Sequence, residues 1–160
     1  MAGETRLTRT NDGWLGRFTA MASPCEVQLR AVSRGTAEQV LQVVATEAWR
    51  VEQRFSRYRD DNIVAALQRA NGEWLAVDDE FDRLLDYADT CWQLSGGRFD
   101  VTSGVLRRVW RFDGSERIPT ADQVAALLPL IGWGKVERRP GQIRLPVGME
   151  LDMGGIGKEY

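Results

Sequence analysis

The sequence predicts an α+β fold of antiparallel strands packed with helices, and three observations carry that reading. Residues 25–31 alternate, with Cys25, Val27 and Leu29 on one face and Glu26, Gln28 and Arg30 on the other. A period of two marks a strand with one covered face. Further on, Ala37, Val40, Leu41, Val44, Ala48, Val51 and Phe55 recur at threes and fours, which marks a helix with one buried stripe. Strand pairs and helices then come mixed, without the βαβ rhythm of a parallel sheet.

Residues 1–12 read as a disordered tail and residues 13–160 as one domain. Residues 14–21 and 25–31 are the first two strands, separated by Ala22-Ser23-Pro24, since Pro24 has no N–H for a ladder. Thr36, with Gln39 three residues on, is the expected N-cap of the first helix. Asp60 or Asp61 is expected to cap a short helix through Ile63, Ala66 and Leu67 that stops at Asn71-Gly72. Residues 74–77 form a short strand. Asp78 caps the next helix, whose stripe is Phe81, Leu84, Leu85, Ala88, Trp92 and Ser95, and Gly96-Gly97 ends it. Residues 98–104 are a loop. Pro119 and Thr120 open a helix through Val124, Leu127 and Leu128, and residues 133–138 and 142–147 pair around Pro140-Gly141.

The composition narrows the function. With 43% hydrophobic and 28% charged residues, the 160-residue chain has an ordinary globular make-up. Its 21 basic and 23 acidic residues give a net charge of −2. Arg50, Arg54, Arg57 and Arg59 are interleaved with acids and read as a solvated helix face. Nothing resembles a nucleic-acid surface. No apolar run approaches the ~20 residues of a transmembrane segment, and the N-terminus has no signal-peptide core. Cys25 and Cys91 lack metal-ligand spacing and read as buried free thiols in a reducing, cytoplasmic setting. The chain has no histidine, the commonest general base. Residues 152–160 open a new element and stop, so the chain reads as truncated there.

Four loop segments carry the candidate chemistry: residues 20–25, 55–58, 95–102 and 151–158. Each also has a purely structural reading, with Met21 as a core filler, Tyr58 as a half-buried helix end and Gly96-Gly97 as a helix stop. The closing Gly154-Gly155-Ile156-Gly157-Lys158 is not a phosphate loop. That motif would need a glycine at Asp152 and a Ser or Thr at Glu159. Such a turn can still offer N–H groups to phosphate and carbonyls to a metal.

Taken in order, the segments resemble one family. Met21-Ala22-Ser23 corresponds to a Met-Gly-Thr-like turn between two strands, with Ala22 where glycine is usual. Phe55-Ser56-Arg57-Tyr58 corresponds to Phe-Ser-x-Tyr. Residues 95–102 match Ser-Gly-Gly-x-Phe-Asp-[IV]-Thr at every fixed position. Trp110-Arg111-Phe112 corresponds to Trp-x-Phe. Residues 151–160 correspond to Leu-Asp-Leu-Gly-Gly-Ile-[AG]-Lys-Gly-Tyr, with Met153 for Leu and Glu159 for Gly. The chain is thus similar to the N-terminal portion of the FAD:protein FMN transferases, the ApbE-type flavin transferases.

The resemblance implies an ApbE-like (T-fold-like) domain that binds FAD and Mg²⁺. It implies cleavage of the FAD pyrophosphate, attachment of FMN to a Thr or Ser of an acceptor flavoprotein, and release of AMP. It places Met21, Tyr58, Arg98, Phe99, Asp100, Asp152 and Lys158 at the FAD site, and gives Gly155 the task of offering its carbonyl to the metal. The family's remaining metal ligands and its His-containing segment lie beyond Tyr160, as do its catalytic residues, so the chain alone is expected to be inactive. Two alternatives stay open: a relative that binds or hydrolyses FAD without modifying protein, and a truncated copy without function.

Overall fold

The computed structural model describes residues 3–111 and 118–157. Two compact units, Met1–Ser56 and Arg57–Tyr160, divide the chain. The mixed α and antiparallel β architecture is the one expected.

In the first unit, strands β1 (Arg6–Arg9), β2 (Gly13–Ala20) and β3 (Ser23–Arg30) form an antiparallel sheet in the order β1-β2-β3. Helix α1 (Arg34–Phe55) packs on it. Residues 6–9 are therefore not part of a disordered tail. Arg6 to Arg9 pair with Arg17 to Trp14, and Leu7 joins the core around Phe18, Ala20, Leu41 and Ala45. Trp49 closes this core. Its ring meets Phe18 edge-on at 6.0 Å, and its indole N–H donates to the Thr19 carbonyl at 2.8 Å.

The break between β2 and β3 is shorter than expected. Ala20 pairs with Ser23, so only Met21 and Ala22 form the turn, with φ of 52° and 53°. Two positive φ values in a two-residue loop define a type I′ hairpin turn. Pro24 lies inside β3, an outer strand of the sheet, where a missing N–H is tolerated. The cap of α1 is Ser33, whose hydroxyl accepts from the Thr36 N–H, so Thr36 lies within the first turn. The stripe also shifts. Val44 is exposed and Ala45 is buried, because a residue four positions on from Leu41 sits above it on the same face.

In the second unit, α2 (Ile63–Arg69) is capped by Asn62 rather than by Asp60 or Asp61. Asn62 is itself buried and accepts from Ala65 N–H at 3.0 Å, while Asp61 pairs with Arg59. A second antiparallel sheet has the order β4-β6-β5, from β4 (Trp74–Ala76), β5 (Glu137–Arg139) and β6 (Gln142–Arg144). Helix α3 (Asp79–Leu94) starts at the expected Asp78 cap and buries Phe81, Leu84, Leu85 and Ala88. Arg138 on β5 reaches Asp82 and Asp86 of α3 at 2.8 and 2.7 Å. Burial disfavours its charge, but the hydrogen bonds it donates to both carboxylates outweigh that, and its pKa is raised.

Three expected elements are shortened. Helix α4 (Ala121–Ala125) has the Thr120–Gln123 capping box but stops before Leu128, which forms a separate 3-10 turn with Pro129 and Leu130. Residues 133–135 form a 3-10 turn instead of opening a strand. Strand β6 ends at Arg144, two residues before Pro146. Cys25 and Cys91 are free thiols, half-buried rather than buried. Among the described residues, no helix is long and apolar enough to cross a membrane.

Two glycines of β2 test this packing. A Cβ on Gly13 would lie 1.9 Å from the Leu29 carbonyl oxygen, which is fixed backbone. A Cβ on Gly16 would lie 2.5 Å from a Leu41 methyl, which can rotate away. Gly13→Ala is expected to cost about 2–3 kcal/mol and Gly16→Ala about 1 kcal/mol. Urea unfolding of both variants decides it, and equal costs would contradict the placement of β2 against β3.

Candidate functional site

The site in the second unit starts where α3 ends. Gly96 and Gly97 have φ of 61° and 78°, left-handed values that glycine adopts at little cost. The Gly97 N–H donates to the Trp92 carbonyl at 2.8 Å. The Ser95 hydroxyl then accepts from the Phe99 N–H at 2.9 Å and turns the chain back. Past this turn, the Val101 carbonyl accepts from the Asp152 N–H at 2.8 Å, and Ser103 bridges Glu150 in parallel. Gly104 permits the approach, since a Cβ there would stand 3.0 Å from the Cβ of Asp152. The two glycine-bearing motifs, far apart in sequence, are thus zipped together.

Each expected residue has a definite place. Asp100 is fully engaged within the fold. Its Oδ1 accepts from Thr102 N–H at 2.8 Å and Thr102 hydroxyl at 2.6 Å, and its Oδ2 accepts from Trp133 N–H at 2.9 Å. Phe99 lays its ring against Gly155, where a Cβ would come within 2.9 Å of a ring carbon. Gly155 is therefore held to glycine by space. Arg98 is exposed and, among the described residues, its side chain donates only to the Ser95 carbonyl, at 3.3 Å.

Asp152 lies just ahead of the glycine turn. Its backbone is irregular, and residues 154–157 form a turn. One carboxylate oxygen accepts from the Gly154 N–H at 2.9 Å. The other accepts from Arg57, with both side chains mostly buried. Tyr58 is 77% exposed, so the half-buried alternative for it does not hold. Its hydroxyl accepts from Arg57 at 2.8 Å, and the Arg57 guanidinium lies 4.9 Å from its ring centre. Met21 belongs to the first unit, in the β2–β3 turn. Lys158, like Phe112 of the Trp-x-Phe segment, lies outside the described residues.

Sequence reasoning missed Arg57. It was grouped with a solvated arginine face, yet it joins Tyr58 to Asp152, two of the expected cofactor residues. Glu150 was missed as well. Buried at 8% exposure, it takes the Nε of Arg107 at 2.6 Å and of Arg108 at 2.8 Å. These side chains, with Tyr58, Trp110 and Arg111, line a cleft of about 480 Å³. No sequence signal links Arg57 to a partner 95 positions away. The Arg107-Arg108 doublet was readable only as charge. Among the described residues, no group of three or more His, Cys, Asp or Glu is arranged to hold a metal. The Gly155 carbonyl by itself is a single oxygen, well short of the octahedral shell of Mg²⁺.

Two clasped loops, a glycine turn packed on an aromatic ring and an adjoining arginine-lined cleft make a class of site suited to an anionic, planar ligand. Residues 21–160 match the model of the ApbE family, and the chain belongs to that family. A sequence search among curated proteins finds no match. Among solved structures, the ApbE protein of Thermotoga maritima is 22% identical with a TM-score of 0.78, over 98% of this chain and 50% of that one. The flavin transferase ApbE of Vibrio cholerae is 18% identical with a TM-score of 0.74, over 98% and 50%. The flavinyl transferase ApbE of Pseudomonas stutzeri is 18% identical with a TM-score of 0.65, over 96% and 48%. The fold is shared with these proteins, and the chain spans about half their length.

The bonding pattern yields two expectations. Asp100→Ala removes three hydrogen bonds to a carboxylate and is expected to cost about 1.5–3 kcal/mol. Thermal melting measures it, and an unchanged melt would free Asp100 for another role. A double-mutant cycle on Arg57→Gln and Asp152→Asn is expected to give a coupling of about 1–2 kcal/mol. Additive effects in urea unfolding would dissolve the pair.

Proposed function

We propose that the chain carries the flavin-nucleotide-binding part of a FAD:protein FMN transferase. In that reaction a Thr or Ser hydroxyl of an acceptor flavoprotein attacks the FMN phosphorus of FAD. The phosphoester O–P bond forms, the bridging P–O bond breaks, the hydroxyl gives up its proton, and AMP leaves with the bridging oxygen. What supports the reading is family membership together with one observation: the Ser95–Thr102 and Leu151–Gly157 motifs lie side by side, with Arg57 tying Asp152 to Tyr58.

Within this proposal Tyr58 offers an exposed aromatic face to the cofactor. Phe99 supports the Gly155 turn from below, and Asp100 fixes the loop that carries Arg98. Asp152 acts on the cofactor as one half of its pair with Arg57. Mg²⁺ would assist by polarising a phosphoryl oxygen. The described residues contribute the Gly155 carbonyl toward it and no ligand cluster, so none of the chain's own steps is routed through the metal. Lys158 and Met21 remain part of the proposal as cofactor contacts.

The test is an acceptor assay with FAD and Mg²⁺, followed by mass spectrometry of the acceptor and a denaturing gel viewed by flavin fluorescence. An FMN adduct on a Thr or Ser is expected from a protein bearing the family's remaining segments. None is expected from the 160-residue chain alone, and an adduct in that arm would refute its inactivity. FAD consumed without an adduct in either arm would instead establish a flavin-hydrolysing relative.

A further inference from the structure

We infer that the arginine-lined cleft is a phosphate site, and that Arg111, with the remaining N–H groups of Arg107 and Arg108, holds the anionic part of a flavin nucleotide. This rests on the flavin-transferase reading and extends it to residues that the resemblance does not assign.

The argument begins with charge. Four guanidiniums, Arg57, Arg107, Arg108 and Arg111, line the cleft. Two carboxylates answer them: Glu150 takes Arg107 and Arg108, and Asp152 takes Arg57. Among the described residues, two positive charges are left over in a concave space of about 480 Å³. Arg111 makes no hydrogen bond or ion pair among the described residues. Arg107 and Arg108 each give their Nε to Glu150. Arg108 Nη2 also donates to the Gly148 carbonyl at 2.8 Å, and Arg107 Nη1 weakly to the Arg57 carbonyl at 3.5 Å. These bonds fix the plane of each guanidinium and leave Arg107 Nη2 and Arg108 Nη1 without a partner among the described residues. An Arg fork held in one plane is suited to bidentate phosphate contact, and the Glu150 carboxylate supplies the holding.

Shape gives the second half. Tyr58 and Trp110 are both exposed and both line this cleft. Aromatic faces beside arginines suit a ligand that is planar at one end and anionic at another. A nucleic-acid strand fits less well, because the basic groups are gathered in one concavity while the chain as a whole is acidic at −2. Continuity with the motif site comes through Arg57, which lines the cleft and bonds both Tyr58 and Asp152.

The experiment compares FAD, riboflavin and inorganic pyrophosphate as ligands of the protein, by flavin fluorescence for the first two and by calorimetry for the third. FAD is expected to bind more tightly than riboflavin, with an affinity that falls as salt is raised. Arg111→Gln is expected to weaken FAD about tenfold or more, the size of a charged hydrogen bond. It should leave riboflavin binding and the melting temperature unchanged, since Arg111 is exposed and unbonded among the described residues. Arg111→Lys should recover part of the loss. Equal affinity for FAD and riboflavin, or an Arg111→Gln protein with full FAD affinity, would overturn the proposal. If neither flavin binds while pyrophosphate does so through Arg111, the flavin-transferase reading fails, and with it the ligand assigned to the cleft.

Discussion

The carboxylate of Asp100 is the point on which the second unit's loops converge. It satisfies two backbone N–H groups, of Thr102 and Trp133, and the Thr102 hydroxyl. That hydroxyl, wholly buried, accepts in turn from the Gly132 N–H at 2.8 Å. The Trp133 indole N–H reaches Asp89 on α3 at 2.7 Å. Without the carboxylate, part-buried donors in two segments would lose their partners, at about 1–3 kcal/mol for each unsatisfied group. The position of the Val101 carbonyl, and so of Asp152 opposite it, follows from this anchoring.

Electrostatics continue outward from there. Glu150 and Asp152 sit two residues apart, and each is matched by arginine, the first by Arg107 and Arg108 and the second by Arg57. Carboxylates so placed would repel an anionic ligand if left bare. Matched, they act as braces that orient guanidiniums. Arg107 also sends a weak bond to the Arg57 carbonyl at 3.5 Å, so the two braced groups touch.

Local signals were legible in the sequence wherever local physics decides. Asp78 and the Phe81, Leu84, Leu85, Ala88 stripe marked α3 because capping and period act within a few residues. The glycine pair marked its end for the same reason. The order of motifs made the family readable, and Asp152, Phe99 and Gly155 did come together. Where a distant partner decides, local signals misled. Trp133 was read as strand, yet its N–H belongs to Asp100. Arg57 looked solvated because Asp152 is remote in sequence. Residues 6–9 looked like tail because four residues show no period, and only pairing with β2 gives them structure. Ser33 and Thr36 both suit a cap, and the choice between them depends on where the chain leaves β3.

The β2–β3 turn has a further consequence. A hairpin selected for closure alone would place Asn-Gly at its tip, where left-handed backbone is nearly free. Here Met21 and Ala22 occupy it, at roughly 1–2 kcal/mol per residue. The eight residue pairs between β2 and β3 hold the tip in that unfavourable shape. Strand pairing on either side, and not the preference of the turn residues, therefore decides the backbone shape from which the Met21 side chain departs.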